Sequence, residues 1–114
     1  MFSEKDLNKI ENLIGADCKI IGKIHGSGSL KIDGTIEGDI LWEENVILDS
    51  SSVCKGNISC KNAIINGTVE GNVLCEEALL IQSRGKIFGD INVSKLIIDE
   101  GGKLNGKCNI APKI

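Results

Sequence analysis

The stretch Gly34-Thr35-Ile36-Glu37-Gly38-Asp39-Ile40 decides the fold, because its Ile-x-Gly-x-Ile step recurs along almost the whole chain. Six glycines stand at the centre of such steps, 15 to 18 residues apart: Gly22, Gly38, Gly56, Gly71, Gly89 and Gly106. The residues two before and two after each glycine are apolar at all six steps. Self-similarity at a short period is the signature of a solenoid, whose repeats bury their apolar faces only by stacking on one another.

Each repeat contains alternating and turn-forming segments. Apolar or small residues alternate with polar ones around each glycine, which predicts a short half-buried strand. A second apolar group follows about eight to ten residues later, as in Ile64-Ile65, and turn residues such as those at 49–52 stand between the groups. We therefore predict an all-β, single-domain parallel β-helix of about six coils over residues 15–111, with at least two strands per coil.

Alignment of the repeats predicts which residues stack on adjacent coils. Phe88 falls in an outward-facing column, which also holds Ile21, Glu37, Lys55, Glu70 and Asn105. Trp42 shares a column with small residues and is interpreted as a core residue. Cys60 and Cys75 are expected to stack as small core side chains, and a metal pair or a redox switch is the alternative. The single histidine, His25, is expected at a corner.

Residues 1–14 follow a different pattern from the repeats. Ser3 is a suitable N-cap, and Phe2 with Leu7 occupies the two positions of a hydrophobic staple. An apolar stripe then runs through Leu7, Ile10, Leu13 and Ile14. We therefore predict a short amphipathic N-terminal helix or tail. Residues 112–114 are interpreted as a short C-terminal tail.

Two roles are open for this N-terminal segment. It can cover the first coil, as capping elements of solenoids do. Alternatively, it can lie in a membrane interface through the apolar side chains of Met1, Phe2, Leu7 and Ile10. Glu4, Asp6 and Glu11 outnumber the lysines on its polar face, so anionic lipid would not attract it.

Composition excludes several classes of function. The net charge is −3 and no Lys/Arg-rich run occurs, so nucleic acid is not an expected partner. No apolar stretch approaches the ~20 residues that span a bilayer, and no secretory signal is recognisable, so we expect a cytoplasmic protein. No phosphate loop, disulfide framework or zinc spacing is present in the sequence, so we expect no nucleotide, cofactor or metal.

The last coil is expected to be uncovered. Only six residues follow Cys108, too few for a capping helix, so the C-terminal pole should expose Leu104, Cys108 and Ile110. Open strand edges pair readily with other chains. If the C-terminal poles of two subunits meet, and the N-terminal poles of two subunits also meet, these two symmetric contacts alternate along the chain of subunits. Such a polymer can grow without limit. We interpret these three residues, with the nearby Phe88, as the polymerisation interface.

The ladder of steps such as Ile36-Glu37-Gly38-Asp39-Ile40 and Ile87-Phe88-Gly89-Asp90-Ile91 resembles the bactofilins over roughly residues 15–111. The resemblance implies a right-handed, triangular β-helix that polymerises without nucleotide into cytoplasmic filaments. Such filaments scaffold cell-shape, cell-polarity and cell-wall proteins near the bacterial inner membrane. Met1-Phe2-Ser3 also looks like the membrane-targeting start of some members, although basic residues that would support it are missing.

Two other functions would fit a β-helix. A hexapeptide-repeat acyltransferase would need near-constant 18-residue turns, which the 15- and 16-residue steps break. A monomeric β-helical binding module is the second alternative. We expect a scaffold that assembles with itself and is not an enzyme.

Overall fold

The computed structural model describes residues 11–112, and this part of the chain forms eighteen short β-strands with no helix. In chain order they are β1 (Asn12–Ile14), β2 (Lys19–Ile21), β3 (Ile24–Gly26), β4 (Ser29–Ile32), β5 (Thr35–Glu37), β6 (Ile40–Trp42), β7 (Asn45–Leu48), β8 (Val53–Lys55), β9 (Ile58–Cys60), β10 (Asn62–Ile65), β11 (Thr68–Glu70), β12 (Val73–Cys75), β13 (Ala78–Ile81), β14 (Lys86–Phe88), β15 (Ile91–Val93), β16 (Lys95–Ile98), β17 (Lys103–Asn105) and β18 (Cys108–Ile110).

Every third strand joins the same parallel sheet. Sheet A has the order β1-β4-β7-β10-β13-β16, sheet B the order β2-β5-β8-β11-β14-β17, and sheet C the order β3-β6-β9-β12-β15-β18. Each coil therefore contributes one strand to each of three walls, and six coils stack into a body of 33 × 29 × 26 Å. The predicted all-β parallel β-helix is confirmed, with three strands per coil.

The core consists of inward columns of aliphatic side chains stacked in register. One column in sheet B runs Ile20, Ile36, Cys54, Val69, Ile87 and Leu104, and one in sheet C runs Ile24, Ile40, Ile58, Val73, Ile91 and Cys108. In the middle coils these side chains are at most 1% exposed. Repeat positions therefore become spatial neighbours, as the sequence alignment predicted.

The repeat glycines stack at one corner, where there is no room for a side chain. A Cβ atom added at Gly71 would collide with the carbonyl oxygen of Gly56, and one added at Gly89 would collide with that of Gly71. The backbones of successive coils approach each other closely at this corner, which only glycine permits. This explains why glycine recurs once per coil.

From Asp39 onward, the residues after these glycines form a ladder of hydrogen bonds along the stack. The side-chain oxygen of Asn57 accepts the backbone N–H of Asn72 at 2.9 Å, and that of Asn72 accepts the N–H of Asp90 at 2.9 Å. Asp90 in turn accepts the N–H of Lys107 at 2.9 Å. Lys107 has no side-chain acceptor, so the ladder ends in the last coil.

The structure differs from the sequence predictions near the N-terminus. Leu13 and Ile14, predicted to be helical, lie in β1, which pairs with β4, so the first coil begins at Asn12. Ile14 stacks against Ile32 of the next coil and is half-buried, a tertiary contact that overrides the local helical spacing. His25 lies within β3 and faces solvent, so the expected corner position was wrong. The predicted helix otherwise falls on residues 1–10, outside the described residues.

Candidate polymerisation surfaces

The two poles of the solenoid each end in three parallel strands that have a neighbour on one side only. β1, β2 and β3 form the N-terminal pole, and β16, β17 and β18 form the C-terminal pole. Their outer edges carry backbone groups that no other described strand pairs. Such edges are templates for pairing with another chain.

The C-terminal pole exposes a slice of the core. Ile98 and Ile110 occupy inward positions, yet they are 44% and 50% exposed. Ile81 and Val93, the residues they stack on, are 0% and 3% exposed. The difference arises because no other described strand packs on this side of β16 and β18, so burying this surface would gain roughly 25 cal/mol per Å² of apolar area.

The predicted contact residues lie in this last part of the solenoid. Leu104 is half-buried in β17, while Cys108 and Ile110 are exposed in β18. Sequence reasoning missed Ile98. Its signal was present, because Ile98 follows Ile81 by 17 residues, close to the repeat period.

Phe88 lies beside the C-terminal pole and not on it. It points outward from β14, one coil before the end, and is 47% exposed. Its column neighbours are Glu70 and Asn105. The predicted outward orientation is confirmed, whereas the role of Phe88 in assembly stays a prediction.

The N-terminal pole is a depression and not a flat slice of core. Asn12, Ile14, Ile24 and Leu30 help to line it, together with Trp42. The Asn12 amide donates hydrogen bonds to the carbonyl oxygens of Ser27 and Ser29 at 3.2 and 3.3 Å. These contacts satisfy backbone acceptors beside the edge strand.

Trp42 forms part of the floor of this depression. Its ring lies directly over Gly26, where an added Cβ would meet the indole, and its Nε1 donates to the carbonyl oxygen of Gly28 at 3.0 Å. The side chain is partly buried against the core. The predicted seat beside small neighbours is confirmed, but Trp42 is half-buried at the edge of the core and not a fully buried core residue.

Three cysteines are buried in the core. Cys60 and Cys75 stack on adjacent coils with their sulfur atoms 3.8 Å apart, and the hydrogen bond to Cys75, together with burial, raises the pKa of the Cys60 thiol. Burial, with the nearby Asp39 carboxylate, raises the pKa of Cys54 to about 12. No cluster of three potential metal ligands occurs within residues 11–112. The geometry matches thiols that pack as small core side chains.

Together these features define a class of protein, a parallel β-solenoid whose terminal strands pair on one side only within residues 11–112. Residues 12–109 match the family described as bactofilin, polymer-forming cytoskeletal. This match covers most of the chain, so the protein belongs to the bactofilin family. Bactofilins form a structural family that is described as polymer-forming and cytoskeletal.

Two individual proteins illustrate the relationship. The chain is 30% identical over 69 residues to bactofilin BacP of Myxococcus xanthus (strain DK1622), an alignment that covers 57% of this chain and 29% of that protein. It is also similar to the subunit in a cryo-EM reconstruction of Thermus thermophilus bactofilin double helical filaments, with a TM-score of 0.80 and 20% sequence identity. That similarity covers 88% of this chain and 99% of the other.

Proposed function

We propose that this protein assembles end to end, pole against pole, into filaments that serve as a bacterial cytoskeletal scaffold. The observation that carries the proposal is the exposed core at the C-terminal pole, where Ile98 and Ile110 are 44% and 50% exposed at positions that are buried one coil earlier. A second subunit placed on this pole removes the apolar surface from water and pairs the open edges of β16, β17 and β18.

We also propose that like poles meet. If the first coil of another copy continued the stack, Lys23 would follow Lys107 on the corner ladder. Lys107 offers no side-chain oxygen to the next backbone N–H, so the ladder would be broken there, and two ammonium groups would be adjacent. If each pole instead meets the same pole of another copy through a two-fold contact, Lys23 does not follow Lys107. N-terminal and C-terminal contacts then alternate along the filament.

The driving force in this proposal is burial and edge pairing, without nucleotide and without catalysis. Neither pole needs a ligand to present its apolar residues, and the sequence contains no phosphate loop. The scaffold would hold cell-shape, cell-polarity or cell-wall proteins in place in the cytoplasm. Its polymer would present each binding surface many times over.

Met1, Phe2, Leu7 and Ile10 are proposed to contact the inner membrane. They are the apolar residues of the segment before Glu11 and lie outside the described residues. Within residues 11–112 there is no helix that could cross a bilayer. One segment of this size binds a membrane weakly, so attachment would depend on many copies in one filament.

We further propose that two protofilaments wind around each other. The Thermus thermophilus relative forms double helical filaments, and the chain shares its fold along nearly the whole of that subunit. Lateral pairing would stiffen a filament in which each protofilament is held together only at its poles.

Electron microscopy of the purified full-length chain tests polymerisation. Filaments should form in physiological buffer, with equal length and abundance whether ATP, GTP or neither is present. A chain that stays monomeric at high concentration in all three conditions would contradict the proposal and favour a β-helical binding module.

Deletion of residues 1–10 tests membrane attachment separately. Because the β-helix begins at Asn12, the shortened chain should fold and still form filaments. Its co-sedimentation with liposomes should fall clearly below that of the full-length chain. Equal co-sedimentation of the two chains would show that residues 1–10 are not the anchor.

A further inference from the structure

The outer surfaces of the three sheets differ in chemistry. Sheet B is charged outside: Lys19 pairs with Glu37 at 2.8 Å, and this hydrogen-bonded ammonium lowers the pKa of the Glu37 carboxyl. Sheet C is mixed, with the outward column His25, Leu41, Ser59, Leu74, Asn92 and Asn109. Sheet A carries an uninterrupted apolar column on four successive coils. This outer stripe consists of Ile47, Ile64, Leu80 and Ile97.

The surroundings of the outer stripe are largely neutral. The other outward residues on β7, β10 and β13 are Asn45, Asn62 and Ala78. The Asn62 side chain donates to Asn45 Oδ1 at 3.2 Å and accepts the N–H of Ala78 at 3.0 Å. Amide and methyl groups therefore flank the stripe on these three strands, and the nearby charges are the Glu77 carboxylate, which accepts from Asn62 at 3.4 Å, and the Lys61 ammonium 4.0 Å from it.

Charged groups lie at the margins of this face. Lys31 stands in the same column, one coil before Ile47, and its ammonium is 3.8 Å from Asp33 and 3.5 Å from Asp49. Lys95 is the outward neighbour of Ile97 on β16. The charges thus frame a neutral centre, an arrangement typical of an interaction surface with a polar rim.

The stripe forms a shallow surface and not a deep pocket. A groove of ≈ 200 Å³ lies between β7 and β10, lined by Asn45, Val46, Ile47, Asn62 and Ile64. Ile97 is 43% exposed, Ile47 and Ile64 are half-buried, and Leu80 between Ile64 and Ile97 is buried. The accessible contact atoms are therefore those of the three isoleucines.

We propose that the outer stripe is the lateral contact between two protofilaments, so that its occupant is a second copy of this chain. This inference rests on the proposed polymerisation and specifies which surface pairs the protofilaments. The largely neutral surface around the stripe supports contact between two copies. In an isologous interface the same patch of each copy faces the other, so unpaired charges of one sign would repel each other. The charged outside of sheet B is less suited to this role.

The size of the stripe fits a contact that forms only within a polymer. Four side chains on one face bury far less than the ~800 Å² per partner of a stable complex. Two free subunits would therefore not remain paired through this face. A protofilament repeats the contact along its length, so weak contacts add up once end-to-end assembly has occurred.

Ile64→Lys is the test, with Leu74→Lys as its matched control. Leu74 points outward from β12 in the same coil, on sheet C, and is 52% exposed. We expect Ile64→Lys to form single protofilaments of undiminished length, while Leu74→Lys and the wild type form paired ones. Cryo-electron microscopy measures filament length and protofilament number separately, and circular dichroism verifies that each variant is folded.

Several outcomes would overturn the inference. Paired filaments of folded Ile64→Lys would remove the stripe from the interface, and loss of pairing in both lysine variants would indicate a general charge effect. Loss of pairing on deletion of residues 1–10 would make that segment, and not a second copy, the occupant of the stripe. A wild type without any filaments would refute the proposed polymerisation itself.

Cross-linking provides an independent measurement that does not depend on disrupting the surface. Ile64→Cys is placed in a Cys18→Ser background that keeps Cys108 at the proposed pole contact, and the Cys18→Ser protein alone gives the level of cross-linking through Cys108. Mild oxidation of Ile64→Cys filaments should give more covalent cross-links than this level, whereas Leu74→Cys in the same background should not exceed it. Cross-linking of paired Ile64→Cys filaments at the background level would place the lateral contact elsewhere.

Discussion

The middle and the C-terminal end of this solenoid share the same residue columns, but the side chains of these columns are buried in the middle and partly exposed at the end. Ile65 and Ile98 occupy one inward column of sheet A, and the side chain of Ile65 is 0% exposed whereas that of Ile98 is 44% exposed. The middle strands pair on both sides, and β16 pairs on one side only. The last coil of the described chain is therefore built like an internal coil, but its strands pair on one side only.

This difference indicates how a repeat protein can encode assembly without a separate interface. Many solenoids end in a capping repeat with a polar outer face. The last coil here instead continues the aliphatic columns with Leu96, Ile98 and Leu104, so the chemistry that stacks the coils within a subunit is available between subunits. A subunit contact at this pole would complete the core.

The same substitution in one column should have opposite effects at the middle and the end. Ile65→Arg buries an unpaired charge and should unfold the protein, because that penalty is comparable with the whole ~5–15 kcal/mol stability of a domain. Ile98→Arg can extend its guanidinium into solvent at the open pole and should remain folded but form no filaments. Circular dichroism and electron microscopy distinguish the two results.

The expected product of Ile98→Arg also tests the proposed polarity. If like poles meet, the unaltered N-terminal contact still forms, and analytical ultracentrifugation should show a dimer. A monomer would favour contact between opposite poles. Long filaments of folded Ile98→Arg would show that the C-terminal pole is not the assembly surface.

Phe88→Arg should have a smaller effect than Ile98→Arg, because Phe88 lies beside the pole. Its side chain is already 47% exposed, so the fold should be unaffected. We expect the critical concentration for assembly to rise by about tenfold, equivalent to ~1.4 kcal/mol per contact. Sedimentation across a concentration series measures this quantity.

Leu74→Arg is the matched control for Phe88→Arg. Leu74 also points outward and is 52% exposed, but it lies on β12, two coils before the C-terminal end and three after the N-terminal one. Its critical concentration should equal that of the wild type. The same value for Phe88→Arg would make Phe88 an incidental surface residue and leave the pole to Ile98, Leu104 and Ile110.

Much of the fold could be predicted from the sequence because the coils stack in register. In such a fold a spacing of 15–18 residues translates directly into spatial contact. The alignment consequently predicted the column of Phe88 and the stacking of Cys60 on Cys75, and the structure confirms both. The glycine corner was also recognisable, although the collision with the preceding carbonyl required coordinates.

The outer stripe could not be predicted in the same way. Leu79-Leu80-Ile81 and Leu96-Ile97-Ile98 are continuous apolar runs, so period-two alternation does not reveal which residue faces out. Pairing with Ile64, whose neighbours Ala63 and Ile65 are buried, fixes the orientation of Leu80. The start of the first coil was missed for a different reason: Leu13 and Ile14 continue the helical spacing of Leu7 and Ile10, and only the pairing of β1 with β4 places them in a strand.

The stability of the folded protein should also depend on alkaline pH, because Cys54 is a buried thiol in the middle of the core. Its pKa is raised to about 12 by burial and by Asp39, whereas an unfolded cysteine titrates near ~8.5. Above about pH 8.5 the folded protein therefore binds more protons than the unfolded chain, and stability falls as pH rises. The limiting slope from this thiol is ~1.4 kcal/mol per pH unit.

Urea unfolding of dispersed subunits between about pH 7 and about pH 10 measures this smallest effect. The stability advantage of the wild type over Cys54→Ala should be constant below about pH 8.5 and shrink above it, because alanine cannot ionise. Cys18→Ala, at an exposed position of the first coil, is the control for replacing a thiol outside the core. An advantage of the wild type over Cys54→Ala that stays constant to about pH 10 would show that the Cys54 thiolate is tolerated in the folded state. The middle of the solenoid would then be more accessible to water than its packing indicates.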